Sequence, residues 1–189
     1  MSLHASAPRV RLEPLVAAHA KALHAGLCDP RLYAYTDDGP PENLEALEAR
    51  YRRLESRRSP RGDEQWLNWA VWDVDGGAYV GYVQATVGAD GVAHVAYVLF
   101  VAAWGRGLGT AAVAAMLDVL RERHGARAYA ARIDARNAPS IALVERLGFR
   151  ARERALPSDS GDRLFVHGAA DSPPPMQGAL SAPPDPTEP

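Results

Sequence analysis

Between Trp69 and Val101 the chain alternates in a way that leaves few folds open. Trp69-Ala-Val-Trp-Asp-Val and Tyr79-Val-Gly-Tyr-Val-Gln-Ala-Thr-Val are strand-like runs rich in β-branched and aromatic residues. The turn Asp75-Gly-Gly separates them, which is a hairpin signal. Gly88-Ala-Asp-Gly91 makes a second turn, and Val92 to Val101 reads as a third strand. That strand becomes apolar on both faces towards its end, so a central position in a sheet is expected.

The flanks extend this meander. Val10-Arg-Leu-Glu-Pro reads as a short strand. Leu15, Ala18, Ala22, Leu23 and Leu27 recur at helical spacing, and Arg31 to Pro41 is loop-like. Glu42 to Arg58 is expected as a second helix, with Leu44, Leu47, Tyr51 and Leu54 on one face. After the meander a helix is expected from Gly107 to His124, then a strand from Tyr129 to Asp134 and a helix from Ala138 to Leu147. Gly125 and Gly148 stop the two helices. Phe149 to Ala155 and Leu164 to His167 read as a last hairpin. The strands flanking the Gly107–His124 helix can run parallel, because a helix connects them. The fold class is therefore mixed α/β, layered as α+β, with a mostly antiparallel central sheet and flanking helices. Residues 1–8 read as a loose lead-in and 9–167 as one domain. Residues 168–189 hold seven of the fifteen prolines and read as a Pro-rich tail.

Composition narrows the function classes. With 21 basic and 23 acidic residues the net charge is −2, which excludes a nucleic-acid footprint spread over the whole chain. No run of about 18 apolar residues occurs, so no membrane-spanning helix is expected. The opening residues lack a basic stretch followed by an apolar core, so a signal peptide is not expected and a cytoplasmic location is the default. Cys28 is the one cysteine, and the histidines show no paired ligand spacing, so no metal site is expected.

The stretch Trp104-Gly105-Arg106-Gly107-Leu108-Gly109-Thr110 stands between a strand and a helix. Glycines allow a sharp turn and close approach of a ligand. A helix N-terminus leaves N–H groups unpaired and carries partial positive charge, and together these suit phosphate oxygens, to which Arg106 could add a cation. The loop fits neither a Walker A motif, which needs a Gly-Lys pair, nor a Gly-x-Gly-x-x-Gly fingerprint. A tight loop without a ligand is the competing reading. In the second stretch, Asn137-Ala-Pro-Ser140 through Leu147-Gly148-Phe149, Asn137 is placed to cap a helix with Pro139 in its first turn. Taken alone, this is an ordinary capped helix.

Taken together, in order and spacing, the two stretches resemble the GNAT superfamily of acyl-CoA-dependent N-acyltransferases. In that family an Arg/Gln-x-x-Gly-x-Gly/Ala loop cradles the pyrophosphate of coenzyme A, and an Asn-x-x-Ser/Ala helix ending in Leu-Gly-Phe closes on it. The Tyr97-Val98 strand before Trp104-Gly105-Arg106-Gly107, with Val10-Arg-Leu-Glu-Pro-Leu at the start, resembles the branch containing ribosomal-protein N-terminal acetyltransferases. The resemblance spans residues 9–167. It implies a V-shaped splay between central strands and acetyl-CoA as cosubstrate, with no metal. It implies that N–H groups of Arg106, Gly107, Leu108, Gly109 and Thr110 bind pyrophosphate beside Trp104 and Gly105. It further implies that the backbone of Leu99, Phe100 and Val101 pairs with the pantetheine arm, and that Asn137 holds its end.

Two departures bear on catalysis. Trp104 stands where many members carry Arg or Gln, although Trp-Gly is normal for this branch. Val144 stands where many relatives carry the tyrosine that protonates the departing thiolate. Ser140, one turn earlier, is the candidate acid, against a reading as a first-turn capping residue. His94 stands where relatives often carry a glutamate and is the candidate base, against a buried structural histidine.

Asp37, Asp38 and Glu42 lie in the loop that overhangs the acceptor cleft in this family and would suit a cationic amine, against a reading as solvated turn charges. Six arginines crowd residues 50–61 and are read as a solvated helix face. Cys28 is read as a small core residue, and Trp66, Trp69 and Trp72 as core and cleft wall. The expected function is acetyl transfer to a protein N-terminus, a free amino acid, a polyamine or an amine antibiotic, with homodimerisation as an option. A catalytically degenerate acyl-CoA-binding module and a proline-tailed interaction protein are the competing classes.

Overall fold

A computed structural model describes residues 8–152 and 161–168. The expected lead-in up to residue 7, residues 153–155 of the expected last hairpin, and the Pro-rich tail from residue 169 lie outside the described residues.

Val10–Pro14 (β1) opens the fold, with Pro14 at the strand's end, where a missing N–H disturbs the ladder least. The first expected helix divides into a 3₁₀ turn, Ala17–His19, and helix α1, Ala20–Leu27. The break follows from His19, whose Nδ1 accepts the Val16 N–H at 3.1 Å. Helix α2 is Leu44–Leu54, shorter than expected at both ends. The Asn43 side chain caps its start by accepting the Ala46 N–H at 2.8 Å. Past its end Arg57 takes a positive φ of 56°, which ends the helical path.

Gln65–Asp73 (β2), Ala78–Val87 (β3) and Val92–Leu99 (β4) form the expected antiparallel meander. β2 begins four residues earlier than its sequence pattern suggested, because Gln65 to Asn68 pair with Gln84 to Val87. β4 ends at Leu99, and Val101–Ala103 forms a 3₁₀ turn instead of continuing the strand. Leu108–Arg123 (α3), Ala128–Asp134 (β5), Ala138–Arg146 (α4), Arg150–Ala151 (β6) and Asp162–Gly168 (β7) complete the chain.

The seven strands form one sheet in the order β1-β2-β3-β4-β5-β7-β6. All neighbours are antiparallel except β4 and β5, which the α3 crossover joins in parallel. Helices cover the two faces. α3 and α4 pack on one, over Trp69, Val83, Val95 and Ile133, with Ala112, Val113, Met116 and Leu120 fully buried in between. Truncating Met116 there to alanine would cost about 2–5 kcal/mol. α1 and α2 pack on the other face over Ala70, contributing Leu23, Leu27, Leu47 and Tyr51. Gly26 of α1 lies so close to the Phe100 ring that a Cβ would stand 2.5 Å from it, which explains a glycine inside this helix.

The feature that positions the site is a gap in the sheet. β4 and β5 pair only through Val92↔Ala128, Ala93↔Tyr129 and His94↔Ala130. Beyond His94 the two strands diverge, while β4 stays zipped to β3 as far as Leu99 and β5 to β7 as far as Asp134. A wedge therefore opens between two strands that are each anchored on their outer side.

Candidate active site

Strand alternation decides which backbone groups line the wedge. Phe100 N–H donates to Val80 C=O at 2.8 Å, so Leu99 and Gly81 form a non-hydrogen-bonded pair. By the same alternation Tyr97 and Leu99 turn their N–H and C=O groups away from β3 and into the wedge. Of the three residues expected to offer an edge, Leu99 does so. Both main-chain polar groups of Phe100 are used elsewhere, the carbonyl accepting from Ala103 N–H at 2.8 Å, and Val101 opens the 3₁₀ turn. The Leu99 carbonyl accepts the Trp104 indole N–H at 2.7 Å, which holds the otherwise exposed ring against the end of β4.

At the mouth of the wedge the chain turns through Gly105 (φ 72°) and Gly107 (φ 76°), a conformation that side chains disfavour. Gly107 caps α3, and the first helical bond runs from Ala111 N–H to Gly107 C=O at 3.1 Å. The N–H groups of Leu108, Gly109 and Thr110 are thus left without helical acceptors, at the positive end of a 16-residue helix. Gly109 meets Leu143 of α4 at 3.0 Å from a hypothetical Cβ, so its lack of a side chain lets the two helices close up.

Two arginines stand beside this loop. Arg106, the expected loop cation, donates through Nη2 to Oδ2 of the buried Asp73 at 2.8 Å. Arg146, which no sequence pattern singled out, reaches Thr110 Oγ1 at 3.4 Å from α4. It places an exposed guanidinium beside the N-terminus of α3.

α4 forms the opposite lip. Asn137 Oδ1 accepts the Ser140 N–H at 3.2 Å and so caps the helix, which leaves the side-chain NH2 as the donor end of Asn137. The Ser140 carbonyl accepts the Tyr97 hydroxyl at 3.2 Å, joining α4 to β4 across the wedge. Burial pushes the Tyr97 phenol up to about 12, and the bond to Ser140 offsets this only in part. Tyr97 also escaped the sequence reading, because its partner lies 43 positions away. Val144 is fully buried in the α3/α4 core, which accounts for an apolar residue there.

His94 stands where the wedge closes, opposite Thr86 of β3 and Ala130 of β5. It shares its sheet face with Val92, Ala96 and Val98, and is thus on the α1/α2 side. Burial lowers its pKa below the ordinary histidine value; Asp90 and Glu64 oppose the shift, and Arg132 adds to it. The imidazole is therefore held neutral at pH 7, with a nitrogen able to accept a proton.

Other expectations fare unevenly. Asp37, Asp38 and Glu42 are exposed, and Asp38 borders a small hollow under the α1–α2 loop. The arginine-rich segment is not wholly a solvated face: the Nε atoms of Arg50 and Arg57 are buried, and Arg57 lies over the Trp69 ring at 5.8 Å. Cys28, read as a core residue, is exposed beside His24 just past the end of α1. Trp69 lies in the α3-side core, while Trp66 packs with the α1/α2 cluster. Among the described residues no group of three His, Cys, Asp or Glu side chains could hold a metal ion, and no helix is long and apolar enough to cross a membrane.

Residues 9–150 match the family model described as Acetyltransferase (GNAT) domain. Solved structures share the fold. Mycobacterium smegmatis RimJ in complex with CoA-disulfide superposes with a TM-score of 0.70 at 22% identity, over 89% of this chain and 86% of that one. RimL, a ribosomal L7/L12 alpha-N-protein acetyltransferase solved with coenzyme A, gives 0.70 at 17% identity, over 86% and 95%. The aminoglycoside acetyltransferase AAC(6')-Ib, in complex with coenzyme A, gives 0.69 at 18% identity, over 85% and 95%. No curated protein matches the sequence significantly.

Proposed function

The chain belongs to the acetyltransferase (GNAT) family, and on that premise we propose that it moves an acetyl group from acetyl-CoA to a primary amine by direct attack in a ternary complex. The observation that carries this reading is the wedge between β4 and β5, with the glycine-turned start of α3 at its mouth. The N–H groups of Leu108, Gly109 and Thr110 hold the pyrophosphate, and Arg146 supplies the cation that Arg106 cannot. Tyr97 and Leu99 pair with the pantetheine arm as a strand edge would, and the Asn137 amide holds its end.

The catalytic assignments belong to the same proposal. An ammonium cannot attack a thioester, so a base must take up a proton, directly or through water. His94, neutral through burial and set where the strands converge, fills that role. Wedge-lining backbone N–H groups stabilise the developing oxyanion. Ser140 turns its hydroxyl to the leaving thiolate and passes on a proton that water returns to it, since valine at 144 has none to give. Tyr97 positions Ser140 through the carbonyl contact.

Valine at 144 also favours a second reading, an acyl-CoA-binding module that has lost turnover. Calorimetry with acetyl-CoA, paired with a coenzyme A release assay over primary amines, separates the two. Binding with release supports the transferase. Binding without release across α-amino, polyamine and aminoglycoside acceptors supports the module, and no binding sinks both.

A further inference from the structure

Along the α3/α4 face of β4, Val95 and Leu99 are buried at 2% and 8% exposure, yet Tyr97 between them is only half-buried. The three share that face, because side chains two apart on a strand point the same way. Tyr97 stays open where its neighbours are covered because β4 and β5 have parted beyond His94, so its ring borders the wedge. The ring does not hang free there. Its hydroxyl donates to the Ser140 carbonyl at 3.2 Å, which stretches the side chain from β4 to the first turn of α4. Behind it Val95, Ile133, Val144 and Phe149 are buried in one core cluster, and the ring packs against that cluster. Tyr97 is thus a bar between β4 and α4, with a filled core on its far side and the wedge on its near side.

Under the acetyl-transfer role proposed above, on which this assignment rests, the sulfur lies at the Ser140 hydroxyl. Tyr97 touches that same residue, so the acyl carbon attached to the sulfur starts out beside its ring. From there an acyl chain has few ways to run. The pantetheine arm fills the way back to the mouth. Ahead, β4 and β5 close to strand spacing at His94↔Ala130, about 4.8 Å, which leaves no width for a chain between them. On the α1/α2 face stands His94, and the attacking amine comes from that side. The way that is left leads into the α3/α4 face, and Tyr97 bars it. We propose that the Tyr97 ring sets the length of the acyl group, leaving room for acetyl and excluding longer straight chains, so that the donor is acetyl-CoA and not a medium-chain acyl-CoA. Alanine at 97 would open a path between β4 and α4, whereas phenylalanine would keep the bar in place.

The test is calorimetry of the full chain with acetyl-CoA and, separately, hexanoyl-CoA, with no amine present. Each CH2 that finds room in a site adds about fourfold to affinity, so an open wedge would favour hexanoyl-CoA. The parent is instead expected to bind acetyl-CoA at least about tenfold more tightly, because the longer chain must force its way into packed surroundings. Y97A is expected to bring the two donors within about threefold of each other or to reverse their order. Y97F is expected to keep the parent's preference. Thermal melts show which variants are folded, and Y97L, too short to reach α4, is read in place of a Y97A that does not fold. The readout is a ratio within one protein, so a general loss of coenzyme affinity does not imitate the result. Equal binding of both donors by the parent, a folded Y97A or Y97L with the parent's ratio, or a Y97F that loses it would overturn the proposal. Acetyl-CoA binding with an unaltered ratio discards the length assignment and spares the transferase reading; a parent that binds neither donor overturns both.

Discussion

The guanidinium of Arg106 donates to the buried carboxylate of Asp73 across 2.8 Å, tying the loop before α3 to the end of β2. The other Asp73 oxygen accepts the N–H groups of Asp75 and Gly76 at 3.2 and 3.0 Å, so one carboxylate anchors both the β2–β3 turn and the loop. Arg106 is thereby a structural clamp. R106A is expected to lower unfolding stability by about 1.5–3 kcal/mol, the range for a hydrogen bond to a charged group. Its acetyl-CoA affinity should change only a few-fold. A large loss of affinity at unchanged melting temperature would show instead that Arg106 leaves Asp73 for the phosphates.

Arg146 stands at the same helix end with no carboxylate partner among the described residues. R146A should weaken acetyl-CoA binding by about 1 kcal/mol, or roughly fivefold, at low salt. The gap between parent and variant should close as ionic strength rises. Titrations at two salt concentrations decide it; a salt-independent gap would refute the electrostatic role.

Gly107 needs its positive φ of 76°. An alanine there costs about 1–2 kcal/mol in that conformation, or the loop shifts to avoid it. G107A is therefore expected to reduce acetyl-CoA affinity while lowering the melting temperature by only a few degrees. Calorimetry beside a thermal melt checks it; a folded variant with the parent's affinity would show that this turn does not present the phosphate-binding N–H groups.

His94 gives a signed pH dependence. Burial lowers its folded-state pKa, so the unfolded chain binds a proton more readily. Its contribution to stability is present above the ordinary histidine value and is lost as pH falls below it. The activity of the parent should hold to lower pH than an ordinary histidine would allow. H94Q should lower kcat, leave acetyl-CoA affinity unchanged and flatten the acid limb; an unaltered pH–rate profile in H94Q rules out the base.

Glu13 governs a separate acid transition. The Tyr79 hydroxyl, at 2.6 Å, together with Arg11 and His19, holds its carboxyl down at about 2. That stabilisation is complete above the usual carboxylate range and disappears as pH drops towards about 2. Y79F should therefore unfold at a higher pH than the parent during acid titration followed by circular dichroism. Coincident acid curves would show that the bond contributes nothing to stability.

Much of the fold was legible in the residues. Element order, the meander and the α3 crossover follow from apolar period and from glycine turns, which are properties of neighbours in the chain. Helix ends were less so: α2 stops short of Arg58 because Arg57 turns to positive φ, and β2 reaches back to Gln65 because Val87 is there to pair with it. At the site, the glycines at 105, 107 and 109 and the Asn137 cap were visible as local signals. Tyr97, Arg146 and the Asp73 clamp were not, since each acts through a partner 33 or more positions away.

By itself, then, the sequence determined the kinds of elements, their order, and a glycine-turned start to α3, because backbone conformation and amphipathic period are settled by a few adjacent residues. Tertiary structure alone decided where β4 and β5 part, that Arg106 is tied to the Asp73 carboxylate, and that Arg146 reaches Thr110 at the start of α3. Those outcomes depend on the register between strands and on which buried groups find partners, and both are set by contacts between segments far apart in the chain.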